Sequence, residues 1–200
     1  FGAYYGGSSK RNIKNVDLKN NRKNTWGTGL IFNHEIDSIQ NVTVAAGFTR
    51  EISENANKTA YYSNAYALGL AYNFVHTTYG LDLAHKDTKN QGGAGNKVKN
   101  NEVTAVIRQG LNEDWNVYAM YSYKTEKTLP VGSAYSKATD RQFLVGTEYY
   151  VYNQGSLKVK PFIEWQATRT KYENTFDKDS GKQLDRSRDF KTVIGLRAYW

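Results

Sequence analysis

Arg108, Lys158, Lys160 and Arg197 carry the clearest chemical potential in this chain. Each sits at a polar position of a segment that alternates apolar and polar side chains, and all four fall toward the same end of their segments. Guanidinium and ammonium groups gathered at one level of a passage attract anions, because charged rings set pore selectivity. Glu148 and Glu164 share that end and those positions, and would fix the orientation of the cations. Lys124, Lys191, Tyr118 and Tyr150 line the same set of positions. Across the chain this set holds Lys86, Arg108, Lys124, Lys158, Lys160, Lys191 and Arg197. Against them stand Glu51, Asp82, Glu102, Glu126, Glu148, Glu164 and Asp189. The two signs balance, so any selectivity must come from placement. Basic groups gather at one end, while Glu51, Glu102, Glu126 and Asp189 lie at the other. The same residues read equally well as ion pairs that fill a narrow interior.

Such placement needs strands. The segment from Phe190 to Trp200 puts Phe190, Ile194, Leu196, Ala198 and Trp200 on one side and Lys191, Gly195, Arg197 and Tyr199 on the other, which is a period of two. The pattern recurs near 1–8, 24–34, 40–52, 61–74, 77–87, 101–111, 115–126, 140–152, 156–170 and 187–200. Connections alternate in length. Short ones fall at 35–39, 75–76, 112–114 and 153–155, and long ones at 9–23, 53–60, 88–100, 127–139 and 171–186. Five long and four short connections join ten strands, an even number, as an up-and-down barrel with both ends on one side requires. The expected fold is all-β: a single domain over 1–200, a transmembrane antiparallel up-and-down β-barrel with short periplasmic turns and long extracellular loops. Only every second residue of such a strand meets lipid. A mean hydropathy of −0.72 and the lack of an 18-residue apolar run are therefore compatible with it.

Composition points the same way. The chain has 16 Tyr and 4 Trp, which suit interfacial girdles, and only 2 Pro, which suits long hydrogen-bonded ladders. With no Cys, disulfides and thiolate metal sites are excluded. The first residues, Phe1-Gly2-Ala3-Tyr4-Tyr5, read as strand without a leader pattern, as expected of a mature or trimmed form. A net charge of +8 fits basic loops against anionic lipid or a lumen that draws anionic solutes. Nucleic acid fits poorly, for lack of a recognition helix, zinc spacing or an aromatic RNA-binding signature.

Taken together, the alternating segments and the terminal strand with Gly195, Ala198 and Trp200 resemble bacterial outer-membrane β-barrel proteins. The final aromatic resembles the signal such proteins present to the barrel-assembly machinery, although that family usually ends in Phe. In length, Tyr/Lys/Asn richness and long loops the chain is also similar to small monomeric porins such as the oligogalacturonate-specific porin family. Those have twelve strands, and residues 9–23, with Ile13, Val16 and Leu18, are where a further hairpin would have to fit. The resemblance implies a monomer in the bacterial outer membrane, in contact with outer-membrane lipid and lipopolysaccharide. It would act as a channel for passive diffusion of small hydrophilic solutes, anions and sugar acids among them. The competing expectation is an outer-membrane adhesin, receptor or structural anchor whose barrel is closed and whose loops carry the function.

Other constellations are weaker. Strands two to five place Gly, Ala and Thr at polar positions, among them Gly27, Gly47, Thr49, Ala65, Gly69 and Ala84, which would leave an eccentric space. Lys10, Arg11, Lys14, Lys19, Arg22 and Lys23 form a basic loop suited to lipid phosphates or to solvent. Gln91–Lys97 lacks the Lys-Ser/Thr pair of a phosphate loop. Asp177, Asp179, Gly181 and Asp185 lack the terminal Glu of a calcium loop. His34, His76 and His85 lie at opposite rims, and only His85, beside Asp87, has a nearby carboxylate. The chain is therefore not expected to be an enzyme, and no cofactor or metal is expected.

Overall fold

In the computed structural model, residues 1–6, 20–55, 60–91, 95–154, 157–176 and 181–199 are described. They form one antiparallel sheet without helices. Its strands are β1 (Gly2–Gly6), β2 (Asn20–Asp37), β3 (Gln40–Asn55), β4 (Ala60–Phe74), β5 (Thr77–Gln91) and β6 (Asn96–Gly110). They continue with β7 (Trp115–Leu129), β8 (Ser136–Tyr149), β9 (Tyr152–Gln154), β10 (Leu157–Glu173) and β11 (Arg186–Tyr199). Each strand pairs with its sequence neighbour, except that β10 pairs with β8 and β11 while short β9 pairs with β10 alone. β1 and β11 are the two edges, and among the described residues no ladder joins them.

The up-and-down order follows the sequence reading, with two differences. Several strands extend past their expected ends: β2 reaches Asp37, and β5 and β6 run on to Gln91 and from Asn96. Residues 7–19, 56–59, 92–94, 155–156, 177–180 and 200 lie outside the described residues. Most of the basic 9–23 loop, Asp177, Asp179 and the terminal aromatic fall there. The second difference is the strand count, eleven among the described residues against ten, because the segment expected at 140–152 is split. Pro161 has no N–H to give a ladder. The β8 ladder on β10 stops at Phe162, and β9 takes over at Val159, while pairing to β11 continues through Pro161.

The short connections are built by local polar chemistry. Asp37 Oδ1 accepts the Ile39 amide at 2.9 Å, and Asn112 Oδ1 accepts the amides of Asp114 and Trp115 at 3.0 and 2.8 Å. Side chains of Asp and Asn mimic a backbone turn in this way. Neighbouring turns are also tied to one another. The Val75 amide donates to Ile39 O, Gly110 to His76 O and Tyr150 to Asp114 O, at 2.8–2.9 Å. The short-turn end is thus one continuous hydrogen-bonded rim.

Register sorts the side chains into two faces. Ladder partners place Phe143, Ala167 and Phe190 in one row of one face, and Glu164, Gly146 and Val193 in a row of the other. Burial is inverted relative to a water-soluble sheet. Among the described residues Val98 is the one fully buried hydrophobic side chain. Ile194 and Leu196 are 77% and 66% exposed, and Trp26, Phe32, Leu70, Phe143, Ile163 and Trp165 are also open. The buried groups are instead polar: Thr25, Ser53, Ser63, Thr88, Ser122, Glu148 and Lys160 on the face opposite the exposed aromatics, and Thr139 on the aromatic face near the long-connection end. Such burial requires the sheet to curl around its polar face.

Val75, in the two-residue turn between β4 and β5, has φ of 54°. A β-branched residue there is strained, whereas Asn tolerates the left-handed region. Val75→Asn is expected to raise unfolding stability by about 1 kcal/mol, read from the urea midpoint. An unchanged or lowered midpoint would contradict the strain.

Candidate functional site: a charged cluster on the polar face

The polar face carries its densest chemistry near the short-turn end of β6, β7, β8, β10 and β11. Glu148 on β8 is only 4% exposed and sits among three cations. Its Oε1 accepts Arg108 Nη2 at 2.6 Å and Lys160 Nζ at 2.9 Å, and its Oε2 accepts Arg197 Nη1 at 2.8 Å. Arg197 then bridges to the second carboxylate, donating Nη2 to Glu164 Oε1 at 2.7 Å. The Tyr118 hydroxyl donates to the same oxygen at 2.6 Å. Three cations against two carboxylates leave one positive charge.

Aromatic rings wall the cluster. Lys160 Nζ lies 5.0 Å from the Tyr150 ring centroid and 5.3 Å from that of Tyr199, and the Arg197 guanidinium lies 4.1 Å from the Phe162 ring. Rings stabilise cations held over their faces. Two of the rings around the cluster, Tyr118 and Phe162, each face a glycine across a ladder. Tyr118 is opposite Gly146, and a Cβ on Gly146 would fall 2.5 Å from its ring. Phe162 is opposite Gly195, where a Cβ would fall 2.5 Å from the ring. Each ring therefore lies flat across a neighbouring strand. In that position Tyr118 passes over β8 to reach Glu164 on β10.

Of the site residues expected from sequence, Arg108, Lys160, Arg197, Glu148, Glu164, Tyr118 and Tyr150 are brought together here. The others are elsewhere. Lys158 stands opposite Tyr199 with no ion pair among the described residues. Lys191 pairs with Asp189 at 3.1 Å, farther up β11. Lys124 faces Glu102 and Asp140 across its two ladders. The cations are not equally available. The Lys160 side chain is 7% exposed, whereas Arg108 is 43% exposed. Lys160 is sealed into the wall, and Arg108 presents its guanidinium to the open side. Sequence reading missed Phe162, Tyr199, Gly146 and Gly195 as parts of the cluster. The usable signal was an aromatic and a glycine at facing positions, which becomes visible only once the register is known.

The wall of small residues behaves differently. A space of about 750 Å³ lies against Gly47, Thr49, Ala65, Ala67 and Ala84, with Lys86, Asn100, Glu102, Lys124 and Glu126 also lining it. Part of the wall is nevertheless covered. The Tyr4 ring lies over Gly27 and its hydroxyl bonds Thr49 Oγ1 at 2.8 Å, while Val106 lies over Gly80. His85 is on the other face, bonded to Asn101 at 2.6 Å and Asp87 at 2.9 Å. Among the described residues no group of three or more metal-ligating side chains converges.

No protein-family model matches the chain, and neither does any curated protein or solved structure.

Removing the Glu148 charge would leave three cations facing one another with part of their partnership gone. Glu148→Gln is expected to destabilise the fold by about 3–5 kcal/mol, and Arg108→Gln by distinctly less, since Arg108 keeps access to solvent. Urea unfolding of both variants checks this. Equal effects would mean that Glu148 is not the hub.

Proposed function

We propose that this chain is a transmembrane β-barrel of a bacterial outer membrane. In this reading it conducts small hydrophilic solutes, anions among them, along the wall of small residues and past the Arg108–Glu148–Arg197 cluster. The observation that carries the proposal is the inverted burial, with aromatic and aliphatic side chains open on one face and a buried Glu148–Lys160 pair on the other. In water such a surface would associate. In hydrocarbon it is the favourable arrangement, provided every backbone group is paired. Pairing in turn requires the β11 edge to meet the edge formed by β1 and by the part of β2 beyond Gly29, where β1 pairing ends.

The channel reading places Lys124, Glu102 and Glu126 in the wider space and the cluster at the narrower, short-turn end. Arg108, the most exposed of the three cluster cations, is the one best placed to meet a passing anion. A second reading is favoured by the cluster's own satisfaction: the ion pairs and rings fill that end. The barrel would then be a closed anchor for an adhesin, receptor or scaffold function in the loops.

Two measurements test these proposals. In micelles, amides of β11 are expected to exchange as slowly as those of β6, and fast exchange along all of β11 would mean an open sheet. In planar bilayers, stable openings are expected whose reversal potential in a salt gradient favours anions and shifts toward cations in Arg108→Glu. A silent bilayer at high protein load would favour the anchor.

A further inference from the structure

Near the long-connection end, the face that carries the aromatics sets like charges opposite one another, as in the row Lys99, Lys127 and Lys137, and one such row is made of arginine alone. Arg169 on β10 stands directly opposite Arg141 on β8 and Arg188 on β11. In the next row of that face toward the long connections the pattern repeats, with Lys171 facing Arg186. Facing residues of one row have Cβ atoms only about 4.5–5.5 Å apart, and like charges so placed destabilise a sheet. The structure offers no internal remedy. Among the described residues none of the three guanidiniums joins an ion pair, and Arg141 has only the Tyr123 ring at 6.0 Å. The acids beyond them are engaged elsewhere: Glu173 is shared by Lys137 and Lys171 at 3.7 and 3.8 Å, and Asp185 pairs with Arg186 at 3.7 Å.

Directly below the arginines the floor turns apolar. Arg141, Arg169 and Arg188 line a groove of about 320 Å³ together with Phe143, Ala167 and Phe190, which form the next row on that face. A ligand that fills it must be anionic at one end and greasy at the other. Arg forks match phosphate oxygens two at a time, which favours a phosphate over a single carboxylate. A free phosphate would satisfy the arginines and leave the aromatic floor uncovered.

We propose that Arg141, Arg169 and Arg188 bind the phosphate headgroup of an anionic lipid, whose chain lies along Phe143, Ala167 and Phe190. The proposal rests on the membrane reading of the apolar face. It adds one defined lipid site near the long-connection end of β8, β10 and β11. The lipid relieves the arginine repulsion, and the arginines hold the headgroup at a fixed height on the sheet.

The test is native mass spectrometry of the full chain, folded in detergent micelles doped with phosphatidylglycerol, phosphatidylcholine or inorganic phosphate. The wild type is expected to retain one phosphatidylglycerol in preference to phosphatidylcholine. Combined Arg141→Gln, Arg169→Gln and Arg188→Gln should weaken that retention roughly 10-fold or more. Arg50→Gln, on β3 at the same end and without arginine neighbours, should leave it unchanged. Should the triple variant fail to fold, Arg169→Gln alone removes the central group. Equal retention by wild type and variant overturns the site, as does displacement of the lipid by millimolar inorganic phosphate. A wild type that stays monodisperse without detergent overturns the membrane reading, and this site with it.

Discussion

Side chains of a strand alternate between faces, so a slip of one residue in any ladder would send an entire strand's side chains to the wrong side. Everything chemical in this molecule depends on register being held from β1 to β11. Glu148 meets Arg197 only because β8, β10 and β11 keep their offsets over 12 and 14 paired positions. Register is held by two unlike devices. Turn chemistry at Asp37 and Asn112 fixes where hairpins begin, and bonds between neighbouring turns fix one hairpin against the next.

The charged cluster sits close to that stitched rim, where offsets can drift least. A bridge from Tyr118 to Glu164 must span an intervening strand, and the small profile of Gly146 leaves room for the ring to do so. Gly195 does the same for Phe162, which supplies the surface under Arg197. Glycine weakens a strand through lost entropy and missing contacts. Here the facing ring replaces the missing side chain, so the two positions are coupled and neither residue's role is legible alone.

How much was legible in the sequence follows from the same physics. Period-two alternation is a local property. The elements, their order and the sharing of one face by Arg108, Glu148, Lys160, Glu164 and Arg197 are therefore written in residue order alone. Relative height along the sheet is a nonlocal property. Lys158 and Lys160 both lie near the turn, yet Lys158 shares only the row of Tyr199 and joins no ion pair among the described residues, Lys191 lies one row beyond Glu164, and Lys124 lies three rows from Tyr118. The division of one expected strand into β8 and β9 depends on what Pro161 withholds from its neighbour, a fact about pairing that a scan of 140–152 alone does not contain. The row of Arg141, Arg169 and Arg188 was likewise out of reach, since three residues so far apart in the chain become neighbours only through two ladders.

The rim of bonded turns has a mechanical consequence. Because the turn at Val75 is fastened to that at Ile39, Gly110 to His76 and Tyr150 to Asp114, adjacent hairpins cannot pivot independently there. That margin acts as a brace running from β2 to β8. At the opposite margin, the bonds among the described residues are the Tyr172 amide to Asp185 O at 2.8 Å, the Leu184 amide to Thr175 O at 2.8 Å and the Val131 amide to Asn96 Oδ1 at 3.4 Å, and none of them runs from turn to turn across several hairpins. Thermal fraying should therefore travel from that margin inward and halt before the brace. Changes in connection length can accumulate on that side without disturbing the geometry around Glu148.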